Sequence, residues 1–386
     1  MHARFHTSLS SIGQTVWDRL AGNDNPFVSY TFLSCLEDSG CAVAETGWQP
    51  YHLTLEDEAG VHAAMPLYLK SHSMGEYVFD HAFADAYARA GGQYYPKFLS
   101  AVPFTPATGP RLLLEATQAN RLELFAMARS ALEQLLDKTG SSSLHINFTT
   151  QDDTKVWENI GLLKRVDQQF HWTNDGYTSF DHFLEALASR KRKQLRKERA
   201  KATESGLAIR WYQGSDITED LWDCFFNFYM DTGARKWGRP YLNRDFFSLL
   251  GASMGDKCLL VTAEDGSTPI AGALNLVGET TLFGRYWGAV RDVPFLHFEI
   301  CYYQAIDYAI EHKLARVEAG AQGGHKLARG YTPTPTYSLH MFRDPGFHAA
   351  VADYLERERE DVTHEIDAVN AHYSPFKKAA TPASAE

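Results

Sequence analysis

Two stretches of this sequence, about two hundred residues apart, read as a single run of strands and turns written twice. YHLTLEDEAGVHAAMPLYL begins at Tyr51 and CLLVTAEDGSTPIAGALNLV at Cys258. In each, an apolar strand meets an acidic turn ending in Gly60 or Gly266, and a second strand returns as a hairpin. The likeness continues in KFLSAVPF (Lys97 to Phe104) and TLFGRYWGA (Thr281 to Ala289), each a strand running into a Gly or Pro loop. A helix follows in both halves. Leu122, Phe125, Ala126, Ala128, Leu132 and Leu135 recur at helical spacing in the first; Phe298, Cys301, Tyr302, Ala305, Ile306 and Ala309 do so in the second. The strands LHINF (Leu144 to Phe148) and ARVEAG (Ala315 to Gly320) come next, and strand, helix, strand in one sheet predicts a parallel pair with a right-handed crossover. Gly161 and Gly330 then precede a final strand in each half. The fold expected is α/β (α+β), each half a mixed, mostly antiparallel sheet flanked by helices.

At 386 residues the chain can bury two such cores. The expected units are 1–172, 173–345 and a C-terminal helix with a flexible tail over 346–386. The second unit is read as opening with one basic helix, FDHFLEALASRKRKQLRKERAKATESG, ended by Gly206. No apolar run approaches the roughly 20 residues that span a bilayer, and the N-terminal MHARFHTSLSSIGQ lacks a signal-peptide layout, which leads to an expected cytoplasmic location. The five cysteines are scattered without a C-x-x-C, against a disulfide framework or a thiolate metal site. A net charge of -11 disfavours wholesale coating of nucleic acid, since such binding rests on neutralising phosphates.

NPFVSYTFLSCLEDSG (Asn25 to Gly40), PLYLKSHSMGEYVFD (Pro66 to Asp80), YYPKFLSAVPFTPATGPRLL (Tyr94 to Leu113), GRYWGA (Gly284 to Ala289), LHFEICYYQAIDYAI (Leu296 to Ile310) and EAGAQGGHKLARGY (Glu318 to Tyr331) together resemble the FemAB-like N-acyltransferases. These are relatives, within the GNAT superfamily, of the Fem enzymes that attach amino acids to peptidoglycan precursors. The resemblance covers nearly the whole chain. It implies two tandem GNAT-like domains and acyl transfer to an amine, with no tightly bound cofactor and acyl-CoA as a co-substrate. In the superfamily the donor is held after the fourth strand and at the start of the next helix, which falls here on Arg285 to Glu299. Arg285, Tyr286, Trp287 and Gly288 partly echo the superfamily's donor loop, although Val290 to Pro294 stand where a CoA enzyme usually offers more glycine.

Amide formation needs a polarised carbonyl and an amine that is neutral when it attacks, so a general base is useful. Glu318 sits inside an apolar strand, where an unpaired carboxylate is costly, and Gln322, His325, Lys326 and Arg329 follow at once. Glu318 and His325 are the candidate bases, with Lys326 and Arg329 as anion clamps; the bland alternative pairs Glu318 with Arg329. Glu299 serves as a further base or as a helix-start acid favoured by the dipole, with Tyr303 four residues on. His297 and Glu299 lack the spacing of a metal pair, and no metal is expected. In the first half, Lys70, His72, Glu76 and Asp80, with Tyr94, Tyr95 and Arg111, form a candidate acceptor site or an ordinary solvated hairpin end.

Eight cations fall within the twelve positions Arg190 to Lys201, partly offset by Glu198 and Glu204, and they surround the helix on a simple helical projection. Such a field would attract phosphates of tRNA or of a nucleotide-linked donor. Three readings stand: a transferase using an acyl thioester such as acyl-CoA, an aminoacyl-tRNA-dependent transferase of the Fem type acting on a peptidoglycan precursor or other amine, and a non-catalytic ligand-binding module.

Overall fold

The structure, a computed structural model, describes residues 1–115, 118–236, 240–320 and 323–377. The first half supplies β1 (His2–His6), β2 (Trp48–Pro50), β3 (His52–Asp57), β4 (Gly60–Met65), β5 (Tyr68–Lys70), β6 (Lys97–Ser100), β7 (Ser143–Thr149) and β8 (Leu163–Thr173). The second supplies β9 (Ala208–Gln213), β10 (Cys258–Asp265), β11 (Thr268–Val277), β12 (Thr281–Ala289), β13 (Arg316–Glu318) and β14 (Thr332–Phe342). Among the described residues, β1, β3 and β4 form a small sheet, and the other eleven strands form a continuous one in the order β2-β5-β6-β7-β14-β8-β13-β12-β11-β10-β9.

The written repeat reappears as topology. In the second half β10 and β11 form the hairpin, β12 joins antiparallel and β13 joins parallel to β12. In the first, β5 and β6 are antiparallel and β6 and β7 parallel. The first hairpin is the same element broken in two. Tyr51 on one strand and Pro66 and Leu67 on the other interrupt the ladder, proline having no N–H to give it. Beyond that break β3 and β4 turn away to pair with β1, while β2 and β5 stay in the large sheet.

The closing strands are exchanged between halves. β8 pairs antiparallel with β13, and β14 pairs antiparallel with β7. The two also pair with each other along Leu163 to His171 and Thr332 to His340, at the centre of the sheet. Residues 1–172 and 173–345 thus each supply the last strand of the other's sheet.

Three local expectations change. Helix Arg121–Thr139 buries Leu124, Phe125, Ala128, Leu132, Leu135 and Leu136, so its apolar face is rotated from the one expected: Leu122 is 67% exposed and Ala126 also faces water. The basic segment is two helices, Phe180–Ala186 and Ser189–Thr203, rather than one. The break at Leu187 and Ala188 is held by the C-terminal segment: Ala188 N donates to Pro375 O (2.9 Å), Lys377 N donates to Ala186 O (3.0 Å), and Leu187 bridges to Phe376. The C-terminal helix is longer than expected, running over Pro345–Tyr373 and lying across the exchanged strands β8 and β14. The tail expected beyond it falls largely on 378–386, outside the described residues.

Candidate active site

β12 and β13 are in parallel register only from Thr281 to Phe283 and from Arg316 to Glu318. β12 then continues alone to Ala289, so the two strands part at Glu318 and the β12 edge beyond Phe283 has no ladder partner on that side. At the same point β12 carries a bulge. Gly284 pairs with Asn275 and Tyr286 with Leu274, leaving Arg285 as the extra residue. A bulge re-aims its side chain. Arg285 Nη2 donates to Phe104 O at 2.5 Å, and Tyr286 Oη donates to the same carbonyl at 3.2 Å. A loop of the first half is thereby clamped over the parting strands of the second.

Glu318 lies beneath that loop. It is 4% exposed, and burial pushes its carboxyl up to about 7 against the opposing pull of Arg316, the Thr108 amide, Arg285 and Arg111. Its Oε1 is 3.5 Å from Arg316 Nε, and its Oε2 has no hydrogen-bond partner. The bland pairing with Arg329 is not formed. Lys326, itself buried, donates to Ala319 O (2.6 Å) and Gly320 O (2.9 Å), fixing the backbone just past Glu318; burial lowers its pKa to about 8. Arg111 is buried as well, with Nη2 on Ala107 O (2.7 Å) and Nη1 on Pro110 O (3.1 Å), so it braces the clamped loop from inside.

The other candidates lie elsewhere. His325 bonds Tyr302 Oη through Nε2 at 2.9 Å and packs among Phe298 and His297, with Trp287 on the far side of His297 at 4.8 Å. Glu299 is held by Arg199 (2.9 Å) and Gln304 (2.7 Å) in the turn Glu299–Tyr303, where the helix widens to an i to i+5 bond from Gln304 N–H to Glu299 O. Arg329 Nη2 pairs with Glu198 at 2.9 Å and its guanidinium lies 3.4 Å from the Phe298 ring centroid; Tyr303 donates to Glu198. These contacts tie the basic helix to the helix after β12. Gly288 has a packing role: a Cβ there would lie 2.1 Å from Phe228 O, where helix Glu219–Lys236 crosses the sheet. Gln322 lies outside the described residues.

The first-half cluster is not a solvated hairpin end. Lys70, Glu76, Asp80, Tyr94 and Lys97 are buried on the sheet face beneath residues 71–95. Lys97 donates to Glu76 Oε2 (2.7 Å), Ser73 Oγ (2.9 Å) and Asp80, and Lys70 lies 3.6 Å from the Trp48 ring centroid. Tyr94 Oη donates to Asp80 Oδ2 (2.7 Å) and lies 3.1 Å from His145 Nε2; His145 Nδ1 meets His340 Nδ1 at 2.7 Å. Burial moves Lys70 down and Glu76 up, each to about 7. Burial works against the charges of Asp80 and Lys97 too, but their mutual attraction prevails, leaving Asp80 low and Lys97 high. Tyr95 Oη bonds Ser73 Oγ (2.8 Å), whereas the partly exposed His72 bonds Thr46 O (3.0 Å), and Arg111 lies with Glu318 instead.

Two features escaped the sequence reading. One is the Phe104 to Arg111 loop as a cover for the second half. The other is His171 on β8, directly opposite Glu318 in the ladder and 4% exposed. The one available signal for His171 was a histidine between Phe170 and Trp172 in a strand. Among the described residues no group of three or more His, Cys, Asp or Glu side chains is placed to hold a metal, and no helix is long and apolar enough to cross a membrane.

Two GNAT-like units sharing one sheet, with parting strands over a buried carboxyl, define the fold class. The chain belongs to the FemAB-like family, described as peptidoglycan biosynthesis/recognition, whose profile matches residues 8–378. Among solved structures, FemX superposes with a TM-score of 0.53 at 10% identity, over 89% of this chain and 97% of that one. L-PGS from Bacillus licheniformis gives 0.50 at 10% identity, over 87% and 98%. A conserved protein of unknown function from Bacteroides thetaiotaomicron gives 0.51 at 11% identity, over 87% and 98%. At these identities the likeness is one of fold. A search of curated proteins gave no significant match.

Proposed function

We propose that this protein is an N-acyltransferase that moves an acyl group from a thioester such as acyl-CoA to an amine, with Glu318 as the general base. The observation that carries this reading is a buried carboxyl that titrates near neutrality where β12 and β13 part, beside an unpaired strand edge. Such an edge offers backbone N–H groups to an extended donor arm and its carbonyl, and the first-half loop excludes water from the meeting point. A base near pH 7 can accept a proton from an incoming amine without remaining permanently charged in a dry site. The family description supports an amine on a peptidoglycan-related compound as the acceptor.

The test is a thermal-shift titration with CoA and acetyl-CoA, followed by turnover of acetyl-CoA against a panel of amines. Ligand at about a hundred times its Kd adds roughly 2.7 kcal/mol, enough for a clear saturable rise in Tm. No shift at millimolar ligand would count against a CoA donor.

One observation favours the aminoacyl-tRNA reading as a second choice. On helix Ser189–Thr203, Leu195, Glu198 and Ala202 face inward, and Arg199 turns to Glu299 and Asp307. Arg190, Lys193, Lys197 and Lys201 are left exposed at spacings of three, four and four. The cations thus form a stripe after all, and none of these four makes an ion pair with a described residue.

A further inference from the structure

Glu318 and His171 face each other directly across the β13–β8 ladder, so their Cβ atoms lie about 4.5–5.5 Å apart on one face of the sheet. Both are buried, and each leaves one polar atom without a hydrogen-bond partner: Oε2 of Glu318 and Nδ1 of His171. Buried polar atoms are rarely orphaned, and two facing orphans point to a small ligand between them.

The chemistry of that ligand follows from the protons. Gln169 Nε2 donates to Pro106 O at 2.8 Å, which fixes the amide so that its Oε1 faces His171. That oxygen lies 3.3 Å from His171 Nε2, so Nε2 carries the hydrogen and Nδ1 presents a lone pair. His171 stays neutral, because burial, reinforced by Arg316 and Lys326, drives its pKa down to about 3. Glu318 Oε2 is likewise an acceptor when ionised. Two convergent acceptors call for a group with two hydrogens on one atom.

Building on the transferase reading, we propose that Glu318 and His171 form a two-acceptor seat for a primary amine and make this enzyme selective for it over hydroxyl and secondary-amine acceptors. A neutral R–NH2 gives one N–H to each acceptor and keeps its lone pair for the acyl carbonyl. The nitrogen forms the C–N bond, the C–S bond of the thioester breaks, and the proton lost by nitrogen passes to Glu318 and then to the departing thiolate. A hydroxyl or a neutral secondary amine has one hydrogen and leaves one buried acceptor unmet, a penalty of about tenfold or more in affinity for the reacting form.

The test uses the full chain with 15N-labelled histidine, the His171 signals being assigned by their loss in His171→Asn. The free protein is expected to show the Nε2–H tautomer at His171. n-Propylamine should move the Nδ1 resonance saturably; n-propanol, and N,N-dimethylpropylamine with the same charge but one N–H, should not. An Nδ1–H tautomer, equal responses to all three, or no response to n-propylamine overturns the seat. Among folded variants with acyl-transfer turnover, preference for primary over secondary amines should survive in His171→Asn, which keeps an acceptor there, and fall about tenfold in His171→Leu. Movement of the Nδ1 signal without N-propylacetamide formation from acetyl-CoA or another thioester would uphold the seat and sink the transferase reading. Product without movement would do the reverse.

Discussion

With Glu318 titrating near 7, activity should rise through that pH and level off above it, because the base must be ionised to accept a proton. A flat kcat/KM profile from pH 5.5 to 8.5 would remove Glu318 from that role, and Glu318→Gln should lower turnover by about a hundredfold or more. Stability runs the other way. A carboxyl whose folded pKa lies above its unfolded value contributes stability fully below about 4.5, and that contribution is lost as pH rises through about 7. The gap corresponds to on the order of 3 kcal/mol, so urea midpoints should show Glu318→Gln gaining on the parent between pH 5 and pH 8. Lys97 makes a second residue-level case. Replacing it with Met leaves Glu76 and Asp80 buried without their shared cation, and the expected cost is about 3–5 kcal/mol by denaturant titration.

At the level of elements, the hairpins and both parallel crossovers were legible in the sequence because alternation, acidic Gly turns and helical spacing are local signals. Glu318 was legible for a related reason: a carboxylate within an apolar strand is an energetic anomaly that needs no partner to be noticed. What escaped depends on contacts distant in sequence. The split of the basic helix at Leu187 is imposed by residues 375–377, and the depth of Lys70 and Glu76 by the segment that folds over them. The facing of the cations on helix Ser189–Thr203 was hidden too, because Arg199 and Glu198 are drawn inward by partners on the helix after β12. If that stripe meets RNA, replacing Arg190, Lys193, Lys197 and Lys201 with Ala should flatten the log–log dependence of tRNA affinity on salt by about 3 units, at roughly 0.7 to 0.9 per lost phosphate contact. An unchanged slope in a filter-binding titration would assign the stripe to solvation.

For the whole molecule, the exchange of β8 and β14 argues against two independent folding units. Calorimetry should give one cooperative transition, and proteolysis in the short connection near Asn174 to Thr178 should leave two fragments that remain associated. Fragments that separate and refold singly, each with its own melting transition, would contradict this. The site shares that dependence, since Phe104 and Thr108 of one half cover Arg285 and Glu318 of the other.

The exchange also sets a timetable for synthesis. His145 on β7 waits for His340 on β14, 195 residues later in the chain. At about 5–20 residues per second the ribosome takes roughly ten to forty seconds to deliver that partner. Until then the N-terminal half lacks its native edge strand, and the nascent chain must keep an open β-edge from pairing with a neighbour. Full closure is postponed until nearly the whole polypeptide has emerged, so slow translation or a premature stop late in the message would harm the beginning of the protein as much as its end.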